Sequence, residues 1–198
     1  MKIFGDKRSG NCYKVQLVCE LLDLVYEWEK VDILAGDTSQ ENFLGKNPNG
    51  KIPVLELDDG RCLSESNAII NYLAAASPLI PDDPFDAAKV LQWQFFEQYS
   101  HEPYIAVARF IAKYLGMPQD RVEEYEAKQA GGHRALAVIE EQLGQTRFLV
   151  GETMTTADIS LYAYTHVAHE GGFELTHYPQ IRGWVSAIEK TPGYVPLG

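Results

Sequence analysis

Residues 77–86 carry three prolines, Pro78, Pro81 and Pro84, and three aspartates, Asp82, Asp83 and Asp86. Proline fixes φ and removes a backbone donor, so a segment this rich in it reads as an exposed linker between two folded parts. The patterns on its two sides differ. Upstream, stretches of alternating polarity are interspersed with stretches of helical spacing; downstream no alternation appears, and residues 87–115, 121–143, 156–169 and 179–190 all read as helices. The 198 residues allow one or two domains. The linker resolves this into an α/β domain over residues 1–78 and an all-helical domain over residues 84–198.

Residues 2–4 read as a short strand, and residues 11–24 place Val15, Val18, Leu21 and Leu22 at helical spacing. Residues 26–31 alternate for three apolar-polar steps, a second strand, and a weak helix over residues 40–44 follows. Two antiparallel strands flank the turn Asp58-Asp59-Gly60, and a helix covers residues 65–76. The order βαβ-α-ββα is that of a thioredoxin-like fold. In the helical part Pro103 is expected to kink or break the first helix, and Gly131-Gly132 to weaken the second. Thr155 and Asp158 fit an acidic capping box, with Met154 and Ile159 as its hydrophobic staple; this is a folding signal, not a catalytic one.

The charge of -11 and pI near 4.9 exclude nucleic acid and anionic membranes as natural partners, because binding phosphate needs clustered cations. No apolar run approaches the roughly 18 residues that span a bilayer, and the start lacks a secretory signal, so a cytoplasmic protein is expected. Cys12, Cys19 and Cys62 form no C-x-x-C pair. Cys12 and Cys19, seven apart on a helix, stand roughly 10 Å apart, too far for a disulfide. His133, His166, His169 and His177 have no metal-ligand spacing, and no metal is expected. Lys7, Arg8 and Lys14, then Lys46 and Lys51, gather cations locally, which suits either a solvated surface or a small anionic ligand.

Ile52-Pro53-Val54 and Glu65-Ser66 together look like a cradle for a small peptide. A proline at the strand entrance, particularly after a cis bond, turns the chain so that Ile52 offers its N–H and C=O outward. Ser66 opens a helix whose unpaired N–H groups favour an anion.

With these residues the chain resembles the cytosolic glutathione S-transferase family over nearly its whole length, in its bacterial, theta-like serine type. Three elements carry the likeness in order: Asn47-Pro48-Asn49-Gly50-Lys51-Ile52-Pro53-Val54-Leu55, then Glu65-Ser66-Asn67-Ala68-Ile69, then the Thr155 to Asp158 capping segment. The resemblance implies the glutathione transferase fold, glutathione as co-substrate with no further cofactor, a pocket for a small hydrophobic electrophile between the domains, and a homodimer. Carried over by position, it implies that the Ile52 backbone pairs with the cysteinyl part of glutathione beside cis Pro53. Glu65 and Ser66 then hold the γ-glutamyl end, and Lys51 and Thr38 lie near the glycyl carboxylate.

The chemistry requires a thiol to stay ionised at neutral pH, although a free one has a pKa of ~8.5. A donor aimed at sulfur achieves this, and Ser9 occupies the turn between the first strand and helix where it is wanted. As a residue alone, Ser9 reads equally as a plain N-cap. Tyr13 falls inside the helix and points elsewhere. Asn11 is a second candidate donor. Cys12 is a rival that would form a mixed disulfide and give reductase or peroxidase chemistry, unless it is buried. Tyr99, Tyr104 and Arg109 are candidates for the electrophile pocket. A non-catalytic binding module of the same fold is a further alternative.

Overall fold

A computed structural model describes all 198 residues, and the chain divides into two compact units. The first begins with β1 (Lys2–Gly5), α1 (Gly10–Leu21), β2 (Glu27–Lys30) and a short α2 (Glu41–Leu44). It continues with β3 (Val54–Glu56), β4 (Cys62–Ser64) and α3 (Ser66–Leu73), the expected order of elements. The sheet runs β2-β1-β3-β4. The β1 and β2 strands pair in parallel, Lys2 opposite Glu27, while β1 and β3 are antiparallel, Ile3 opposite Leu55, and β3 returns to β4 with Leu55 opposite Leu63. The parallel pair needs a crossover, and α1 supplies it.

Both faces of the central strand β3 are covered, since its consecutive residues Val54 and Leu55 are fully buried. Ile3 is fully buried too, as are Val15, Leu17 and Val18 of α1 and Ile69 and Ile70 of α3, and α1 packs on α3. Phe4 and Ile52 pack with Val31, Phe43 and Val54, which brings α2 to the sheet. Gly5 allows α1 to come close: a Cβ there would lie 2.7 Å from Cys12 Sγ.

One boundary differs from expectation. Residues 191–198 belong with residues 1–80, so the helical unit is Pro81–Lys190 and ends eight residues before the chain does. One tie between the two segments is a partly buried hydrogen bond, in which Tyr13 Oη donates to the Val195 carbonyl at 2.7 Å.

The helical unit comprises α4 (Pro84–Phe96), α5 (Glu102–Arg109), α6 (Val122–Leu143), α7 (Thr156–Thr165) and α8 (Pro179–Glu189). Asp83 caps α4 by accepting from the N–H groups of Phe85 and Asp86 at 2.9 and 3.0 Å, with Pro84 at the first helical position. Pro103 does not break the helix. A π-helical turn, Glu97–His101, precedes it, and the Glu102 N–H reaches back five residues to the Glu97 carbonyl. The wider turn moves aside the carbonyl that a proline ring would otherwise meet. Gly131 and Gly132 do not interrupt α6 either, because the Tyr104 and Phe173 rings sit where their Cβ atoms would be, each within 2.2 Å.

The capping box at Thr155 and Asp158 forms. The Asp158 carboxylate accepts from the Thr155 N–H at 2.8 Å, and also from the Leu149 N–H and Trp184 Nε1, each at 2.9 Å. No helix is long and apolar enough to cross a membrane.

Candidate functional site

The peptide-like cradle is built from two turns of the first unit. In the first, Asn47 is buried and organises the backbone around itself: Nδ2 donates to the Lys51 carbonyl at 2.7 Å, and Oδ1 accepts the Asn49 N–H at 3.1 Å. Gly50 takes φ +63°, and a side chain there would press on the Thr38 carbonyl 3.2 Å away. Thr38 therefore lies beside this loop, in the turn Asp37–Ser39, while the Lys51 side chain is exposed. The bond between Ile52 and Pro53 is cis, and β3 begins only at Val54. Ile52 stands ahead of the ladder, outside every register pair.

The second turn leads from β4 into α3. Glu65 has φ +69°, a region that L residues adopt at a cost of roughly 1–3 kcal/mol and that clusters at functional sites. Its carboxylate is exposed, and Ser66 is the first helical residue. The first-turn N–H groups of a helix and its positive end favour a carboxylate or similar anion.

The third component is the turn between β1 and α1. Asp6 is buried and holds it. Its carboxylate accepts from the Arg8 N–H at 2.9 Å and from the guanidinium at 3.1 and 2.8 Å, while its carbonyl accepts the Ser9 N–H at 3.0 Å. Burial pushes the Asp6 carboxyl up, but the Arg8 hydrogen bonds and charge outweigh this and leave it below the usual carboxylate range.

Ser9 is the N-cap of α1, with its Oγ accepting the Cys12 N–H at a long 3.5 Å. That bond uses a lone pair and leaves the hydroxyl proton to be donated elsewhere, so capping and donation are compatible. Cys12 faces inward instead. It is fully buried, and burial pushes its thiol up to about 12, which leaves no thiolate at neutral pH. Asn11 Oδ1 accepts from Ser66 Oγ at 3.1 Å and from Lys14 Nζ at 2.8 Å, which ties α1 to α3.

Asp6, which holds the turn before α1, carries no reading in the sequence; Asn47 left a trace as the first residue of the Asn47-Pro48-Asn49-Gly50 turn, and Lys14, which the fold buries, stood there only as one of a local group of cations.

In the helical unit Tyr99 and Tyr104 border one open groove of about 280 Å³ with Phe96, Ser100, Arg134 and Val138. Arg109 does not join them. Its side chain is buried, and Nε donates to Glu170 Oε2 at 2.6 Å, so it ties α5 to the turn Ala168–Gly171 instead of lining a pocket.

Residues 3–81 match the glutathione S-transferase N-terminal domain and residues 94–192 the C-terminal domain. The structure resembles a glutathione S-transferase from Pseudomonas fluorescens Pf-5, with 60% identity, 99% of this chain and 98% of that one covered, and a TM-score of 0.98. Among curated proteins, the disulfide-bond oxidoreductase YfcG of Escherichia coli K12 is 29% identical over 93% of this chain and 88% of its own length. The maleylacetoacetate isomerase of Pseudomonas aeruginosa is 27% identical over 92% of this chain and 88% of its own. A chain matched in both halves by the models of one family, and along its whole length by a protein of that name, belongs to the glutathione S-transferase family.

Proposed function

We propose that this protein is a glutathione transferase in which Ser9 stabilises the thiolate of bound glutathione for attack on a small hydrophobic electrophile. The observation that carries this reading is the Ser9 hydroxyl, held at the start of α1 as its N-cap, beside a cysteine buried too deeply to ionise. Glutathione lies with its cysteinyl backbone along Ile52 and its γ-glutamyl carboxylate at Ser66; the Glu65 carboxylate takes the ammonium, and Lys51, with Thr38 nearby, takes the glycyl end. The protein forms no covalent bond to substrate. It orients the tripeptide and stabilises negative charge on sulfur. The electrophile contacts Tyr99 and Tyr104, and the exposed apolar row Leu91, Phe95 and Tyr99 is where a second copy docks to form a homodimer. A cytoplasmic detoxification role fits this chemistry.

Spectroscopic titration of bound glutathione tests the assignment. Ser9→Ala should raise the thiol pKa by about two units and lower turnover roughly a hundredfold, leaving glutathione affinity within a few-fold. An unchanged thiol pKa removes Ser9 from the chemistry.

A second reading, a glutathione-dependent disulfide reductase, is favoured by the likeness to the Escherichia coli disulfide-bond oxidoreductase. In it the thiolate of bound glutathione, held at Ser9 and Asn11, attacks the sulfur of a mixed glutathione disulfide, forming oxidised glutathione and releasing the other half as a thiolate, without Cys12. Disulfide substrates separate the two readings: turnover of a mixed glutathione disulfide, retained in Cys12→Ser and exceeding aryl-halide conjugation, would favour the reductase.

A further inference from the structure

Lys14 is the one lysine that the fold buries completely. Burying an ammonium is costly unless hydrogen bonds hold it, so its position is informative. Nζ donates to Asn11 Oδ1 at 2.8 Å and lies 3.4 Å from Ser66 Oγ, while the Ser66 hydroxyl donates to the same Asn11 oxygen at 3.1 Å. An ammonium only donates, so the oxygen of the Asn11 amide must face it and the amide nitrogen must face away. The three side chains form a joint between α1 and α3 whose single charge lies behind the first turn of α3. Ser66 keeps 6% of its surface exposed and Lys14 none, so the ammonium is shut off from any ligand at the first turn of α3.

We propose that Lys14 is a positioning residue for the γ-glutamyl carboxylate, a role that rests on the glutathione reading above. When the carboxylate arrives, Ser66 turns its O–H from Asn11 to the ligand. Lys14 continues to hold Asn11 Oδ1 and to donate to Ser66 Oγ, so no buried acceptor is stranded by the exchange. The buried cation then adds its field to that of the helix N-terminus, in surroundings that screen it little.

Calorimetric titration of two ligands tests this: glutathione, and 4-aminobutanoyl-cysteinylglycine, which is glutathione without the γ-glutamyl carboxylate. The variant Lys14→Met keeps the length and apolar stem of the side chain. It should weaken glutathione about tenfold, the usual effect of removing a charged hydrogen-bond partner, and change the analogue less than about twofold. Equal losses for both ligands would reduce Lys14 to a scaffold role and overturn the proposal, as would no loss for either. Should the wild-type protein bind neither ligand, the glutathione reading itself fails, a different result from either of those. If circular dichroism shows Lys14→Met unfolded, the wild-type protein decides. The slowly exchanging 15N ammonium signal of its buried lysine should shift with glutathione and not with the analogue; equal shifts, or none, overturn the proposal.

Discussion

Ser9 caps α1 with a lone pair of its hydroxyl oxygen, and the turn that presents it is held from below by Asp6. His166 shows the same economy of contacts in the helical unit. Its ring stacks on Tyr162 at 4.4 Å, and Nδ1 lies 2.8 Å from the Tyr162 carbonyl. Burial pushes its pKa down to about 4, with Arg109 adding to the depression and Glu170 opposing it. A base depressed in the fold contributes stability that is complete above its ordinary pKa near 6.5 and is lost as pH falls towards 4. Urea unfolding should therefore show a loss of roughly 2–3 kcal/mol between pH 6.5 and 4.5 attributable to this residue. In His166→Phe that part of the slope should vanish, although carboxylates still titrate; an identical slope in both proteins would mean that His166 is not held neutral. At this scale the sequence exposed the polar residues of the site, Ser9, Glu65 and Ser66, because their neighbours form local turn and cap motifs. It showed Lys14 only as one of a local group of cations, because whether a lysine points into water or between two helices depends on contacts 52 residues away.

Among the elements, packing decides against local preference in two places. The π-helical turn at Glu97–His101 absorbs Pro103, and two rings absorb the paired glycines of α6. Glycine is about 1 kcal/mol worse than alanine inside a helix, so propensity alone predicts that either replacement stabilises. At Gly132 the buried Phe173 ring lies 2.2 Å from the new Cβ, and Gly132→Ala should instead destabilise by about 1–3 kcal/mol. At Gly183, exposed in the middle of α8, nothing lies within 4 Å, and Gly183→Ala should stabilise by up to ~1 kcal/mol. Thermal denaturation of the two variants side by side checks the contrast; stabilisation in both would mean that Phe173 yields freely. The strands, most helices and the capping box were legible because each repeats a local pattern. The π turn was not, because it answers a proline through a carbonyl that sequence does not locate.

For the whole molecule, the apolar row on α4 and the turn after it has no cover within the chain: Phe95 is 70% exposed and Tyr99 87%. Large apolar surface of this kind marks an interaction site, and under the homodimer reading it is buried between copies. Sedimentation equilibrium should give twice the chain mass of 22.2 kDa for the wild-type protein and the single-chain mass for Phe95→Glu with Tyr99→Glu. A dimer that persists in the double variant would assign the contact to another face. By itself the sequence determined the two-part division, the order of elements and the family, and it marked the two turns of the candidate site. All of these are written in spacing along the chain, where one residue constrains its near neighbours. Only the tertiary structure decided that Cys12 faces the core, that Arg109 is bound to Glu170, that the last eight residues return to the first unit, and that Lys14 lies behind Ser66. Each of these is a choice of burial and partner between distant segments, and the free energy that makes it exists only once those segments meet.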